Sequence, residues 1–134
     1  MNTHNNFDAA AFVQAVGTQN APVLRSFFAD DAVINWHDSN ESFTADEYVR
    51  ANCEYPGDWQ ASLKRLEVVD NGVVIVAKVS STELSVYVVS FAKLVDGKIV
   101  RLDEYYSDCG EAPQWRRDMN IGRPIIGDCD GGIL

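Results

Sequence analysis

The segment Arg101 to Asp108, with the sequence RLDEYYSD, contains three carboxylates, two tyrosines and a leucine. A carboxyl group that loses hydration in an apolar pocket has a raised pKa, which is a property of general acids and bases that work near neutral pH. Side chains of a β-strand alternate between its two faces, so Glu104 shares one face with Leu102 and Tyr106. Asp103 belongs to the opposite face. The spacing therefore predicts that one of these two acids faces inward and the other faces outward.

A second group of candidate functional side chains surrounds the segment Trp36 to Asp38. His37 precedes an acid, as in a catalytic histidine and aspartate pair, but a hydrogen-bonded residue at the rim of a pocket is the favoured interpretation. Aromatic rings can enclose a flat or cationic ligand, or they can be ordinary core. The rings concerned are Trp36, Tyr55, Trp59 and Tyr106. Both interpretations of these rings stay open at this point.

Length and composition restrict the class of protein. A chain of 134 residues with 46% hydrophobic residues can bury one substantial core, so a single domain covering residues 1–134 is expected. The net charge of −9 repels phosphate backbones and argues against nucleic acid as a partner. No apolar run is long enough to cross a bilayer, and the first residues lack the pattern of a secretory signal. We therefore expect a cytoplasmic protein that does not contact a membrane.

Metal and cofactor sites find no support in the sequence. The cysteines Cys53, Cys109 and Cys129 are far apart and show neither a Cys-x-x-Cys motif nor a Cys and His ligand spacing. A glycine-rich phosphate loop and a Gly-x-Ser-x-Gly nucleophile motif are also lacking from the sequence. We expect a protein that uses neither a metal nor a cofactor.

Three helices are predicted in the first half of the chain. The first is amphipathic from Phe7 to Val16 and is capped by an asparagine at position 5 or 6. The second is capped by Asn20 and is followed by a strand with the sequence AVINW. The third opens with a capping box, because Thr44 precedes Glu47 by three residues.

Four long β-rich segments follow between Trp59 and Tyr106. An Asn-Gly dipeptide separates the first segment from the second, and an Asp-Gly dipeptide separates the third from the fourth. Both dipeptides are strong hairpin signals, so the segments predict an antiparallel meander. In VVIVAKVSS, both alternating sets of side chains are largely apolar. One face should therefore pack on helices and the other on a second copy of the chain. The apolar segment Ile121 to Ile126 is expected to pack on the domain or on that second copy.

These elements resemble the nuclear transport factor 2-like superfamily, and within it the SnoaL-like proteins of the polyketide cyclase and ketosteroid isomerase type. The resemblance rests on SFFADDAVINW, on the Thr44 capping box and on DGKIVRLDEYYSD, and it covers about residues 7–108, with 109–134 as a C-terminal extension. It implies an α+β fold, a cone-shaped half-barrel in which a strongly curved, mostly antiparallel sheet wraps around three N-terminal helices. It also implies an open pocket at the wide end and a homodimer through the outer sheet face.

Residues carried over from ketosteroid isomerases argue against that chemistry. The positions of the oxyanion tyrosine, the basic aspartate and the protonated aspartate correspond to Phe12, Trp36 and Ser90. None of these three side chains can supply the group that it replaces. The resemblance therefore implies the fold without the isomerase mechanism.

The resemblance to limonene epoxide hydrolase is partial. The tyrosine and asparagine that hold the attacking water correspond to Ile34 and Trp36, and one aspartate corresponds to Ser80. The arginine corresponds to Lys78 and the last aspartate to Glu104. The resemblance thus implies an inward Glu104 near Lys78, either as an acid and base pair or as a buried ion pair that only shapes the pocket. The ion pair is the favoured interpretation.

The resulting hypothesis is a small-molecule-binding domain with a largely apolar pocket for a small apolar or aromatic ligand. In one version, Glu104 with Lys78 performs cofactor-independent acid and base catalysis of the isomerase, cyclase or hydrolase type. The predicted pocket residues are Phe12, Ile34, Trp36, Tyr55, Trp59, Ser80, Val88, Ser90, Leu102 and Tyr106, with His37 and Asp38 at the rim. The alternative is a non-enzymatic binding or dimeric interaction module whose cone is filled by side chains.

Overall fold

A computed structural model describes residues 7–126 of the chain. Helices and strands within this range follow the order α1, α2, β1, β2, α3, β3, β4, β5, β6 and α4. The helices are α1 Ala9–Thr18, α2 Ala21–Ser26, α3 Ala45–Cys53 and α4 Gln114–Arg117. The strands are β1 Phe28–Trp36, β2 Glu41–Thr44, β3 Gln60–Val69, β4 Gly72–Ser80, β5 Ser85–Val95 and β6 Lys98–Asp108.

The strands form one curved, unclosed sheet in the order β2-β1-β6-β5-β4-β3. Strands β3 to β6 pair antiparallel with their neighbours in the chain, as the hairpin signals predict. β1 pairs parallel with β6 and places Ile34 beside Leu102 and Trp36 beside Glu104. The predicted α+β architecture is confirmed, and this parallel pairing brings the candidate residues of the first and last long strands together.

Capping residues set the beginnings of the helices. The predicted capping box is present, because Glu47 N–H donates to Thr44 Oγ1 at 3.2 Å and Thr44 N–H donates to Glu47 Oε1 at 2.9 Å. Asn20 caps α2 as predicted. The cap predicted for α1 at position 5 or 6 lies outside the described residues, and α1 is capped instead by Asp8, whose side chain accepts from Ala11 N–H at 3.0 Å.

The sequence-based prediction lacks one short strand. β2 pairs with β1 at the edge of the sheet and places Glu41 beside Trp36. Its four residues are too few for a period of two to be visible, and its last residue, Thr44, is also the cap of α3. β1 is also longer than AVINW, since it begins at Phe28.

The helices cover the inner face of the sheet. In β4, the buried residues Val73, Ile75 and Ala77 alternate with half-buried residues on the outer face. A Cβ atom at position 17 would lie 2.6 Å from the backbone nitrogen of Ala61, so Gly17 permits α1 to pack directly on β3. These contacts fix the inner face as the core.

The outer face of β5 and β6 carries exposed rings, among them Phe91 and Tyr105. Beyond β6, the chain leaves Trp115, Ile125 and Ile126 exposed, and Ile126 is 94% exposed. The expectation that this segment packs on its own domain is therefore wrong, whereas packing on a second copy stays a prediction. Within residues 7–126, no helix is both long enough and apolar enough to span a membrane.

Candidate functional site

A cavity of about 360 Å³ opens where β1, β4 and β6 end and α1 and α3 end beside them. Its volume is in the range of small-molecule sites. The cavity is lined by aromatic, aliphatic, amide and carboxylate side chains: Val16, Gln19, Trp36, Asp38, Ser39, Glu41, Ala51, Asn52, Tyr55, Trp59, Val79, Leu84, Val86, Tyr106 and Asp108. We refer to this site as the open-end cavity.

The four candidate cage residues line the open-end cavity in two pairs. The rings of Trp36 and Tyr106 lie 5.5 Å apart at an interplanar angle of 77° on the sheet side. The rings of Tyr55 and Trp59 lie 5.2 Å apart at 90° in the segment after α3. Asp38 also lines the cavity. The structure thus brings the aromatic candidates of the sequence together around one space.

Other predicted pocket residues lie deeper, within the core. They are Phe12, Ile34, Val88, Ser90 and Leu102, and all five are buried. None of them lines the open-end cavity. The narrow part of the cone is therefore filled by side chains, and the cavity occupies the part above it.

Glu104 lies buried beneath the cavity and does not line it. Trp36 Nε1 donates to Glu104 Oε1 at 3.0 Å, and the Tyr106 hydroxyl donates to the same atom at 3.4 Å. Ser90 Oγ donates to Glu104 Oε2 at 2.5 Å. Both carboxyl oxygens thus accept from the protein, and two of the three donors belong to the rings that form the sheet side of the cavity.

Burial is the main cause of the electrostatic state of Glu104. Desolvation raises the pKa of Glu104, and the negative charge of Asp38 adds to this effect. Hydrogen bonds from Ser90, Trp36 and Tyr106 act in the opposite direction without cancelling it. Glu104 in turn contributes to raising the pKa of the Tyr106 hydroxyl, for which burial is the larger cause. Burial therefore keeps the Glu104 carboxyl protonated to a higher pH than that of an exposed glutamate.

The predicted pairing of Glu104 with Lys78 is wrong. The register places Glu104 beside Ser90 and Ser90 beside Ile75, so these three residues share the inner face. Lys78 is three residues from Ile75 on β4 and therefore points to the outer face, where its Nζ lies 5.9 Å from the centre of the Tyr87 ring.

The same alternation corrects the prediction of Ser80 as a pocket residue. Ser80 shares the outer parity of Lys78, does not line the cavity, and accepts from Ser85 Oγ at 2.9 Å. Among residues 7–126, no group of three or more His, Cys, Asp or Glu side chains is arranged to hold a metal ion.

His37 lies on the outer face rather than at the cavity rim. Its Nε2 lies 2.8 Å from Asp103 Oδ1, and its ring stacks on Tyr105 with centres 4.5 Å apart. Asn35 Nδ2 donates to Asp103 Oδ1 at 3.1 Å, and Arg101 Nε donates to Asp103 Oδ2 at 2.8 Å. Predicted rim residues His37 and Asp38 are thus separated by the sheet, and only the second lines the cavity.

Several polar lining residues are absent from the sequence-based prediction. Glu41 lies on β2, which is too short to show a readable pattern in the sequence. Asp108 is the last residue of β6, two residues beyond Tyr106, and the sequence does not show whether the strand reaches it. Gln19 follows α1 in a left-handed conformation with φ 55°, which a sequence does not reveal for a non-glycine residue. The other acids of RLDEYYSD at the end of the last long strand were the available signal for Asp108, whereas Asp38 was already predicted at the rim.

Comparison with known proteins now identifies the relatives of this architecture. The family model described as "SnoaL-like domain" matches residues 9–102. The chain belongs to the SnoaL-like family. Among curated proteins, none matches this sequence.

Solved structures share the whole architecture with this SnoaL-like chain at low identity. A putative ketosteroid isomerase from Kribbella flavida DSM 17836 is 23% identical, with a TM-score of 0.77 over 96% of this chain and 95% of that one. An NTF-2 like protein of unknown function from Burkholderia xenovorans LB400 is 22% identical, with a TM-score of 0.73 over 91% and 94%.

A third structural relative was crystallised with a small molecule. It is a hypothetical protein with a ketosteroid isomerase-like fold from Catenulispora acidiphila DSM 44928, in complex with trimethylamine. It is 16% identical, with a TM-score of 0.63 over 74% of this chain and 84% of that one. At these identities the three relatives establish the fold, whereas the chemistry of this chain must be argued from its own side chains.

Proposed function

We propose that this SnoaL-like protein binds a small organic molecule in the open-end cavity. The observation that carries the proposal is a space of about 360 Å³ bordered by two pairs of aromatic rings. Cavities of this kind, largely apolar with a few polar groups, are the usual form of a small-molecule site. A structural relative in complex with trimethylamine adds support, because a protein of this fold holds a small ligand in that case.

The proposal gives Glu104 a positioning role. Its oxygens accept from Trp36 and Tyr106, so the carboxyl group holds the two rings that form the sheet side of the cavity. A ring fixed before the ligand arrives loses less conformational entropy on binding, which favours affinity. Catalysis by Glu104 with Lys78 is not part of the proposal, since the two side chains lie on opposite faces of the sheet.

We include in the proposal a homodimer that covers the outer sheet face. Apolar side chains occupy most of the outer positions of β5 and half of those of β4, and Phe91 and Tyr105 are about half exposed on this face. An apolar sheet face of this kind usually marks a contact with another protein surface. Strands of two copies related by a two-fold axis would bury it.

The binding proposal can be tested with a variant that fills the cavity. Ala51 lines the open-end cavity from α3, and Ala51→Trp would occupy much of it, whereas Ala10→Trp adds the same ring at an exposed position of α1. Ligand-observed NMR with a library of small aromatic and aliphatic fragments should show binding to the wild type and to Ala10→Trp, and loss of binding to Ala51→Trp. A wild type that binds no fragment at millimolar concentration would contradict the proposal and favour the non-enzymatic interaction module.

A further inference from the structure

The lining of the open-end cavity is rich in hydrogen-bond acceptors whose charge is not balanced by the protein. Among the described residues of the lining, three are carboxylates, Asp38, Glu41 and Asp108, and none is Lys, Arg or His. Within residues 7–126, none of these three acids takes part in a salt bridge with a described cation. Arg50, which borders a neighbouring groove that shares Glu41 with the cavity, is paired with Glu54 at 2.8 Å.

The side-chain donors of the lining are, by contrast, already used within the protein. Gln19 Nε2 donates to the backbone oxygens of Asn52 at 2.9 Å and of Tyr55 at 2.8 Å. Asn52 Nδ2 donates to Val16 O at 3.1 Å. Both amide groups therefore donate to the protein backbone, and their oxygens remain as acceptors.

The ring donors follow the same pattern. Trp36 Nε1 and the Tyr106 hydroxyl donate to Glu104, at 3.0 and 3.4 Å. Trp59 Nε1 donates to Pro56 O at 3.0 Å. Among the described lining residues, the Tyr55 hydroxyl is the exception, and a hydroxyl can also accept. A ligand that enters this cavity thus meets aromatic surfaces and acceptors, and must itself bring the donors.

We infer that the open-end cavity selects a small protonated amine with an apolar body, and this inference rests on the proposed binding function. The ammonium group supplies N–H donors to the carboxylates Asp38 and Asp108, and a positive charge is attracted to the faces of aromatic rings. The apolar body packs between the ring pairs of the sheet and of the segment after α3. An anionic ligand would meet like charges with no cation among the described lining residues to compensate them.

Three probes of the same shape separate charge from apolar packing. Benzylamine is a cation at pH 7, benzyl alcohol is its neutral analogue and benzoate is an anion. Isothermal titration calorimetry should give benzylamine at least about tenfold tighter binding than benzyl alcohol, a difference of about 1.4 kcal/mol. Benzoate should not bind. The preference for the amine should decrease between low and high salt, because the contributing carboxylates are partly exposed.

Isosteric variants test whether the carboxylates cause the preference. In Asp38→Asn with Asp108→Asn, benzylamine should lose its advantage over benzyl alcohol, while the alcohol binds as in the wild type. Asparagine at position 38 keeps an oxygen to accept from Tyr106 N–H. Glu67→Gln is the control, because it removes one negative charge from β3 outside the cavity and should keep the preference for the amine.

The outcomes distinguish this inference from the binding function on which it rests. Equal affinity for benzylamine and benzyl alcohol would overturn the inference and leave the binding function standing. An amine preference that survives the double asparagine variant would overturn the role assigned to Asp38 and Asp108. If all three probes fail to bind, and the fragment screen on the wild type is also empty, the binding function and the inference fail together.

Discussion

Glu104 and Asp103 are adjacent acids on β6 that face opposite sides of the sheet and have opposite electrostatic properties. Burial raises the pKa of Glu104, because three uncharged donors only partly replace the lost hydration. Partial burial also acts to raise the pKa of Asp103, but hydrogen bonds from Arg101, His37 and Asn35 outweigh it and hold the pKa at about 2. A guanidinium beside the carboxylate accounts for the difference.

The partners of an acid, and not its place in the sequence, thus set its role. Glu104 is surrounded by Ser90, Trp36 and Tyr106, so its loss would disturb rings that border the cavity. Asp103 belongs to a partly exposed cluster on the face that we propose to be the dimer contact. The inner acid is therefore expected to control stability and the shape of the cavity, and the outer acid to control the surface.

Truncation of each acid to alanine should give the largest difference in stability between the two positions. Glu104→Ala removes the acceptor of three buried or half-buried donors and leaves a void, so it should lower the free energy of unfolding by about 3 kcal/mol. Asp103→Ala removes an acid from a partly exposed cluster and should cost about 1 kcal/mol. Chemical denaturation of both variants at pH 7 measures the difference. Equal losses would show that the contrast between the faces is wrong.

The exposed rings of the outer face form the centre of the proposed dimer contact. Phe91→Glu places a charge at an exposed ring on the proposed dimer contact, and it should weaken dimerisation at least about a hundredfold, or about 3 kcal/mol. Analytical ultracentrifugation over a concentration series measures the dissociation constant. Val68→Glu is the control, because Val68 is also exposed but pairs with Val73 of the inner parity. A wild type that remains monomeric at high micromolar concentration would contradict the proposal.

Local alternation in the sequence predicts that Glu104 and Asp103 lie on opposite faces, and the family resemblance implies that Glu104 is the inward one; burial agrees with both. The same rule gives only a weak indication for Lys78, because valines occur in both parities of β4, although Lys78 and Ser80 both fall in one of them. There the correspondence with epoxide hydrolases decided the prediction, and the observed register overturns it.

Contacts between distant strands limited the prediction of the site. His37 meets Asp103 because β1 pairs parallel with β6, and no local pattern encodes a pairing across 66 residues of sequence. The sequence also does not show how deep within the cone a side chain lies. Phe12 and Trp36 are both aromatic and inward, yet one is in the filled core and the other lines the cavity. Alternation gives the face of a side chain but not its distance from the open end.

A smaller effect is expected from the charge of Asp103 alone. The pKa of Asp103 is depressed from 3.8 to about 2, so its ionised form stabilises the folded state. This contribution is complete above pH 4 to 5 and is lost as the pH falls through about 2. Asp103→Asn should therefore cost about 1 kcal/mol at pH 7, after allowance for the partial exposure of its partners, and almost nothing near pH 2. Thermal unfolding at a series of pH values tests this dependence.

The smallest effect, and the sharpest test of the contrast, is expected from Glu104→Gln. Glutamine keeps an oxygen to accept from Trp36 and Tyr106 and an amide that can donate to Ser90, so near pH 4 the change in stability should be less than about 1 kcal/mol.

The pKa of Glu104 is raised above 4.5, which means that the folded state holds its proton more tightly than the unfolded state. Wild-type stability gained from this proton is complete below pH 4.5 and is lost as the pH rises through the folded-state pKa, whereas the glutamine variant has no proton to lose. The variant should therefore become progressively more stable relative to the wild type as the pH rises, opposite to the trend for Asp103→Asn. Unfolding curves of both variants between pH 3 and pH 8 measure the two slopes, and slopes of the same sign would contradict the assignment of Glu104 to a buried network without a cation.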